Sequence, residues 1–176
     1  MTDIMTAPAV VKAMENGGAS DKQPIRAAIV RAAELARDAE EHARTRQHAK
    51  GKHTARERLD LLFDTGSFQE IGRFAGGDIN GGKAGSAVIT GFGEIYGRKV
   101  GVYAQDFSVQ GGTLGAAEGA KICHLMDMAL ELKVPVVALI DSGGARIQEG
   151  VAALTQYGRI FRKTCEASGF IPQISI

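Results

Sequence analysis

The stretch Asp141-Ser142-Gly143-Gly144-Ala145-Arg146-Ile147-Gln148-Glu149-Gly150 decides how the fold of this chain is interpreted. It follows Val134-Pro135-Val136-Val137-Ala138-Leu139-Ile140, an apolar run that predicts a fully buried strand. Residues 147–162 after it predict a helix, with apolar positions at Val151, Leu154, Ile160 and Phe161. A strand that ends at a glycine pair and opens a helix directs several backbone N–H groups at one point. That arrangement favours a negatively charged oxygen.

Three well-known glycine motifs do not match this chain. A G-x-S-x-G nucleophile elbow fails because Ile140 stands two positions before Ser142, so Ser142 is not predicted to be a nucleophile. No stretch supplies the P-loop pattern, and Gly91-Phe92-Gly93-Glu94-Ile95-Tyr96 fails the dinucleotide fingerprint and predicts a hairpin. A tight turn that binds no ligand accounts for Gly143 and Gly144 equally well, so both interpretations stay open at this point.

The composition is that of a globular intracellular protein. With 176 residues, 44% of them hydrophobic, the chain can bury one sizeable core. A net charge of +1 gives no general attraction to nucleic acid or membrane, and no apolar run is long enough to span a bilayer. The N-terminus lacks the pattern of a secretory signal, and the two cysteines, Cys123 and Cys165, suit a reducing compartment. We expect a cytoplasmic protein without nucleic-acid or membrane partners.

The N-terminal half predicts two helices after an irregular start. Residues 1–23 have no stable periodicity and predict a flexible leader. From Pro24 an alanine-rich stripe at helical spacing predicts a helix on the outside of the fold or against another subunit. Thr54-Ala55-Arg56-Glu57 matches a capping box. The helix that this box opens is predicted to bury Leu59, Leu62 and Phe63.

The C-terminal half alternates strands and helices. Residues 87–106 predict two strands joined at Tyr96-Gly97-Arg98. Residues 107–115 predict a glycine-rich loop, and 116–133 predict a helix. The apolar face of that helix is predicted to hold Ile122, Leu125, Met126, Ala129 and Leu132. From this pattern alone we expect a mixed α/β domain.

A series of motifs occurs here in the same order as in a known family. They are 47–59, 66–70, 88–91, 105–107 with Gly111 and Gly112, 141–150 and 171–174. Over roughly residues 25–176 the chain resembles the carboxyltransferase β subunit of biotin-dependent acyl-CoA carboxylases. Its nearest resemblance is to the propionyl-CoA and broad acyl-CoA enzymes and the transcarboxylase. It does not resemble the acetyl-CoA type with a four-cysteine zinc ribbon, because it lacks C-x-x-C, so we expect no metal.

The resemblance implies the fold class: an α/β domain built as a crotonase-like superhelix of ββα units. Residues 24–176 would be the N-terminal part of the carboxyltransferase domain, since in the family a further glycine-rich segment and a second domain follow. The chain stops within the β-like run 169–176. We therefore expect a truncated domain that is inactive by itself and prone to aggregate through its uncovered last strand.

The resemblance also implies a reaction and its partners. A carboxyl group would move from carboxybiotin to the α-carbon of a short-chain acyl-CoA such as propionyl-CoA or acetyl-CoA. Biotin would be carried by the biotin carboxylase and biotin carboxyl carrier α subunit, and the β subunits would form a homo-oligomer, a hexamer in the family. One of the family's two oxyanion holes resembles the backbone N–H groups of Gly143, Gly144 and Ala145. The loop predicted near the acyl and biotin groups holds Gly111, Gly112 and Thr113.

The segment from Arg44 to Arg58 is the one strongly basic stretch of the sequence. Charge runs of this kind are usually a solvated surface. The resemblance suggests instead a binding site for the phosphates of coenzyme A, since Arg and Lys bind phosphate oxygens well. The candidate residues are Lys50, Lys52, Arg56 and Arg58.

Other functions are compatible with the same motifs. A transcarboxylase or a biotin-dependent decarboxylase subunit would share them, and partner subunits would separate these enzymes. A crotonase-type hydratase or isomerase needs glutamates placed by motifs that this sequence lacks. From a different class, a non-catalytic acyl-CoA-binding or assembly subunit remains an alternative, which titration with acyl-CoA would test.

Overall fold

The protein is described here by a computed structural model that covers residues 23–77 and 85–176. In chain order its elements are α1 (Gln23–His48), α2 (Ala55–Leu62), β1 (Gln69–Ile71), β2 (Val88–Ile95), β3 (Arg98–Gln105), α3 (Ala116–Leu132), β4 (Val136–Leu139), α4 (Val151–Ala167) and β5 (Gln173–Ser175). Short 3-10 helices at Gln110–Gly112 and Ile147–Glu149 precede α3 and α4. The predicted leader lies outside the described residues except for Gln23, which begins α1.

The strands form one sheet in the order β1-β2-β3-β4-β5. The predicted hairpin is confirmed: β2 and β3 pair antiparallel around Tyr96 and Gly97, whose φ angles of 50° and 70° suit a tight two-residue turn. β4 and β5 add to the sheet in parallel. Parallel neighbours need a crossover, and α3 and α4 provide one each.

Helices cover both faces of the sheet. Side chains of successive strand residues point to opposite faces, and β4 shows the result. Val137 packs in a cluster with Leu59 of α2, whereas Val136 packs in a second cluster with Ile122 of α3. All four residues of β4 are buried, which confirms the strand predicted from the apolar run.

The helix predicted after the glycine turn is confirmed as α4, but three of its four apolar positions face outward. Val151, Leu154 and Phe161 are 78%, 62% and 63% exposed, and only Ile160 is buried. The buried side of the helix is made of Ala153, Gln156, Ile160 and Ala167. Gly119 of α3 lets the two helices lie close together at Gln156: a Cβ added at Gly119 would lie 2.3 Å from the Cβ of Gln156.

The other helical predictions hold with one further exception. Ile122, Leu125, Met126 and Ala129 of α3 are buried, but Leu132 is 57% exposed at the end of the helix. In α1 the alanine stripe packs against this chain itself, with Ala32, Ala36 and Ala43 buried. Within the described residues no helix is both long and apolar enough to cross a membrane.

Candidate functional site

Two glycine-rich loops meet at one edge of the sheet. One follows β3 (residues 106–115) and the other follows β4 (residues 140–150), and we call them the paired loops. Loops that follow neighbouring parallel strands emerge at the same edge, where α/β proteins bind ligands. The Leu114 N–H donates to the Gly144 carbonyl oxygen at 2.9 Å, and the Arg146 N–H donates to the Leu114 carbonyl oxygen at 2.9 Å. The two loops, which the sequence predicts as separate features, are therefore joined by backbone hydrogen bonds.

Gly112 permits this close approach. A Cβ at Gly112 would lie 2.2 Å from the carbonyl oxygen of Asp141, and the φ angle of the residue is +65°. Both facts require glycine. The Ser142 hydroxyl donates to the Gly112 carbonyl oxygen at 2.7 Å and closes the contact between the loops.

The three backbone donors predicted to form an oxyanion hole have different partners. The Gly143 N–H donates to the Gly111 carbonyl oxygen at 2.8 Å, and the Gly144 N–H donates to the Ser142 hydroxyl at 3.0 Å. Within the described part of the chain the Ala145 N–H has no acceptor. Ala145 pairs with Leu114 in a parallel bridge, in which its own N–H points away from Leu114. Ala145 therefore offers the donor that a ligand oxygen can use, while the two glycine donors hold the turn.

The turn does not open helix α4 directly, which corrects the prediction. The 3-10 helix Ile147–Glu149 comes first, and Gly150 then adopts a φ angle of 52° and a ψ angle of −128° before α4 begins at Val151. The effect of a helix dipole fades within the first turn. The helix therefore adds little at Ala145, and the donor there acts through its own peptide group.

Ser142 has a structural role in the turn. Its hydroxyl donates to the Gly112 carbonyl oxygen and accepts from the Gly144 N–H. Burial raises the pKa of the neighbouring Tyr157 above its ordinary value, although Ser142 opposes this, so the phenol is neutral at physiological pH. These partners agree with the prediction that Ser142 is not a nucleophile.

Lys50 and Lys52 lie beside the paired loops. Their ammonium nitrogens stand 5.6 and 5.7 Å from the ring centroid of Phe107, within the range of a cation–π contact. Lys52 also lies 3.4 Å from the Asp141 carboxylate, at the start of the glycine turn. Both lysines are exposed. The structure therefore brings this part of the basic stretch to the predicted loop site.

Arg56 and Arg58, the other two predicted phosphate ligands, are already engaged within the protein. Arg56 contacts the carboxylates of Glu70 at 2.9 Å and Glu40 at 2.6 Å. Burial alone would lower the pKa of Arg56, but the bonds and charge of Glu70 and the charge of Glu40 raise it above its ordinary value. Arg58 donates to the Gln105 carbonyl oxygen at 2.7 Å. These two arginines fix α2 to the sheet, next to the exposed lysines.

A buried ion cluster around Arg146 was not identified from the sequence. The Arg146 side chain is 7% exposed and contacts Glu118 at 2.7 Å and Glu149 at 2.8 Å. One local signal was available: Glu118 stands three residues after Gly115, the N3 position of a helix start. The partner of that glutamate, 28 residues further on, could not be read from a local pattern.

One group of side chains has the composition of a metal site. Ligand atoms of His48, His53 and Glu57 lie within 4.8 Å of one another. Glu57 already accepts from the Thr54 N–H at 2.8 Å, contacts His48 at 2.9 Å and has Arg44 at 3.5 Å. The neighbouring cation and the capping bond from Thr54 explain the group as an ion-pair network at the start of α2.

A cavity of about 210 Å³, lined by apolar and charged side chains, lies between α1 and the sheet. Burial lowers the pKa of its Lys121 to about 8, although the charges of Glu70 and Glu118 oppose the shift. Cations and carboxylates along its wall are balanced in number: Arg56, Arg73 and Lys121 against Glu40, Glu70 and Asp106. This balance gives the cavity no preference for an anion, so we keep the candidate site at the paired loops.

Comparisons with known proteins identify relatives of this chain. Residues 46–176 match the family model described as carboxyl transferase domain. The chain is 51% identical over 143 residues to the propionyl-CoA carboxylase β chain of Saccharopolyspora erythraea, covering 77% of this chain and 26% of the relative. It is 50% identical over 137 residues to the methylmalonyl-CoA decarboxylase subunit alpha of Veillonella parvula, covering 74% and 27%.

A solved structure shows the same fold. Transcarboxylase 12S, with methylmalonyl-coenzyme A and methylmalonic acid bound, superposes with a TM-score of 0.73 at 38% identity, over 81% of this chain and 30% of that one. The chain belongs to the carboxyl transferase domain family. The resemblance and the crotonase-like α/β fold class are thereby confirmed. The chain spans about a quarter of the length of the curated relatives that it matches.

Proposed function

We propose that the protein is the carboxyltransferase component of a biotin-dependent acyl-CoA carboxylase. It would move a carboxyl group from carboxybiotin to the α-carbon of a short-chain acyl-CoA such as propionyl-CoA or acetyl-CoA. One observation carries the proposal beyond family membership. The paired loops present a backbone donor, the Ala145 N–H, at the same edge of the sheet as two exposed lysines, Lys50 and Lys52.

The reaction needs a place for negative charge on oxygen. The α-carbon of the acyl-CoA loses a proton and forms a bond to the carboxyl carbon, while the bond from that carbon to biotin breaks. Carboxybiotin supplies the carboxyl group and, after its release, the acceptor for the α-proton. Charge develops on the thioester oxygen as the proton leaves. A backbone donor fixed before the reaction stabilises such charge, and losing one donor costs about 2.7–4 kcal/mol of barrier.

The three residues of the glycine turn contribute unequally to stabilising this negative charge. We propose that the Ala145 N–H holds the developing oxyanion, and that Gly143 and Gly144 keep the turn in shape through their own bonds. The neighbouring loop, with Gly111, Gly112 and Thr113, is proposed to lie beside the acyl and biotin groups. The Gly112 contact with Asp141 keeps that loop in register with the donor.

The basic stretch is proposed to bind the phosphates of coenzyme A. Lys50 and Lys52 are the exposed members of the set and lie next to an aromatic ring, Phe107. Arg56 and Arg58 are proposed to support them by fixing the start of α2 through Glu70 and the Gln105 carbonyl oxygen. The negatively charged phosphates of the substrate would thus bind beside the paired loops rather than in the cavity between α1 and the sheet.

Partners follow from the same proposal. Biotin would reach the site on a biotin carboxyl carrier, part of a biotin carboxylase α subunit, and copies of the protein would assemble into an oligomer. The transcarboxylase 12S structure is described as a hexamer assembly, which supports a hexamer here. A decarboxylase subunit is the second candidate, because the Veillonella parvula relative at 50% identity has that function.

Carboxyl exchange with free biotin tests the proposal. The full-length protein is incubated with methylmalonyl-CoA, with and without free biotin, and propionyl-CoA is measured by mass spectrometry. We expect propionyl-CoA to form only when biotin is present. Binding of acyl-CoA without any biotin-dependent turnover would contradict the proposal and favour an assembly subunit. ATP-dependent carboxylation with the partner subunits then separates a carboxylase from a decarboxylase or a transcarboxylase.

A further inference from the structure

Arg146 is enclosed within the paired loops, with 6% of the residue exposed. One guanidinium nitrogen, Nη2, donates to Glu118 Oε1 at 2.7 Å and to the Thr113 carbonyl oxygen at 2.8 Å. The other, Nη1, donates to Glu149 Oε1 at 2.8 Å. The planar guanidinium suits this set, because its donors point in fixed and different directions.

Both carboxylates extend these contacts to the backbone. Glu118 is fully buried and accepts from the Gly115 N–H at 3.1 Å and the Ala87 N–H at 3.0 Å. Glu149 accepts from the Ala116 N–H at 2.6 Å. A single side chain thus ties the end of the first loop, the first turn of α3 and the 3-10 helix after the glycine turn.

The ion cluster is charged at neutral pH. Burial alone would raise the pKa of Glu118, but the hydrogen bonds from Arg146 and the Ala87 N–H lower it below its ordinary value. A buried ion pair contributes little net stability, because desolvation offsets much of its attraction. Overall stability is therefore a weak explanation for the cluster, and its contacts instead connect the two loops that carry the candidate site.

We propose that Arg146 is a positioning residue for carboxyl transfer, holding the Ala145 N–H in register with the loop Gly111–Thr113. This inference rests on the proposed function. Ala145 directly precedes Arg146 in the chain, so any movement of the arginine moves the donor. Misplacement by about 1 Å in an active site can cost about 100-fold in rate. Arg146 itself is enclosed by protein groups and acts through the backbone.

The test compares Arg146→Lys with Arg162→Lys in the full-length protein. Lysine keeps the charge but cannot reach Thr113, Glu118 and Glu149 together. We expect kcat for biotin-dependent carboxyl exchange to fall about 10- to 100-fold, as one misplaced donor would cause. The KM for acyl-CoA should change less than about 2-fold, because the exposed lysines are untouched. Arg162→Lys alters an exposed ion pair with Glu166 near the C-terminal end of α4 and should leave kcat unchanged.

A second readout does not depend on activity. Hydrogen exchange, followed by mass spectrometry, should speed up at residues 110–116 and 141–147 in Arg146→Lys and stay unchanged in the β2–β3 hairpin. Glu149→Gln, at a side chain 32% exposed, should show a weaker version of both effects. A folded Arg146→Lys variant with unchanged loop exchange would overturn the inference, and so would a normal kcat per folded molecule. An inactive wild-type protein with faster loop exchange in the variant would count against the proposed function alone.

Discussion

Gly111 and Gly112 have nearly the same backbone conformation and different surroundings. Their φ angles are 66° and 65°. Among the described residues nothing lies within 4 Å of a Cβ built on Gly111, whereas a Cβ on Gly112 would lie 2.2 Å from the Asp141 carbonyl oxygen. The pair separates two reasons for glycine: the left-handed backbone, which both share, and the close approach of the paired loops, which only Gly112 supports.

At this scale we predict that Gly112→Ala destabilises the protein more than Gly111→Ala. Each alanine should lower the free energy of unfolding by about 1–2 kcal/mol through its left-handed conformation. Gly112→Ala should lose a further 1–3 kcal/mol, roughly, because the loops must separate. Denaturant unfolding of both variants measures the difference. Equal losses would show that the loops do not make the contact seen at Asp141.

At the scale of elements, local sequence patterns predicted the helices, strands and caps well. Contacts between residues far apart in the sequence could not be predicted. The capping box at Thr54 and Glu57 is present as expected, because its partners are three residues apart. The apolar positions of α4 did not reveal its buried side, since Gly119 of α3 packs against Gln156, a polar residue of α4. The glycine turn was found from its sequence. The hydrogen bond from the Gly143 N–H to the Gly111 carbonyl oxygen joins residues 32 positions apart in the sequence. No local sequence pattern indicates such a distant partner.

The stability of the protein should depend on pH through Glu57, which caps helix α2. The pKa of Glu57 is lowered to about 2, first because the Thr54 N–H donates to it and then because His48 does. A carboxyl group whose pKa is lower in the folded state than in the unfolded state stabilises the folded protein. That contribution is complete above the ordinary pKa of 4.5 and is lost as the pH falls towards the folded pKa of about 2. Glu57→Gln should therefore melt earlier than wild type at neutral pH, and the gap should narrow in that acidic range.

Thermal melts followed by circular dichroism across this range measure the effect. Glu34→Gln is the matched control, at an exposed glutamate in the interior of α1, far from both helix ends. Its melting temperature should follow the wild-type profile at every pH. A gap between wild type and Glu57→Gln that stays constant on acidification would contradict the role assigned to the cap.

At the scale of the whole molecule, a chain of contacts brings the basic stretch to the paired loops. Arg58 of α2 donates to the Gln105 carbonyl oxygen at 2.7 Å, at the end of β3. The Gln105 side-chain oxygen in turn accepts from the Asp141 N–H at 3.1 Å, just after β4. The segment between α1 and α2, which carries Lys50 and Lys52, is thereby held beside Phe107 and Asp141. The residues proposed to bind phosphate and the residue proposed to bind the oxyanion therefore lie on one surface.

The KM for acyl-CoA of Lys50→Glu, compared with Lys99→Glu, tests this placement most directly. Lys99 is an exposed lysine of β3 at the hairpin end of the sheet, so its reversal changes the net charge equally. For the full-length protein in biotin-dependent carboxyl exchange, we expect Lys50→Glu to raise the KM about 3- to 10-fold with little change in kcat, as loss of an exposed ion contact implies. Lys99→Glu should leave both constants unchanged. Equal KM values for the two variants, or a loss confined to kcat, would contradict a coenzyme A site beside the paired loops.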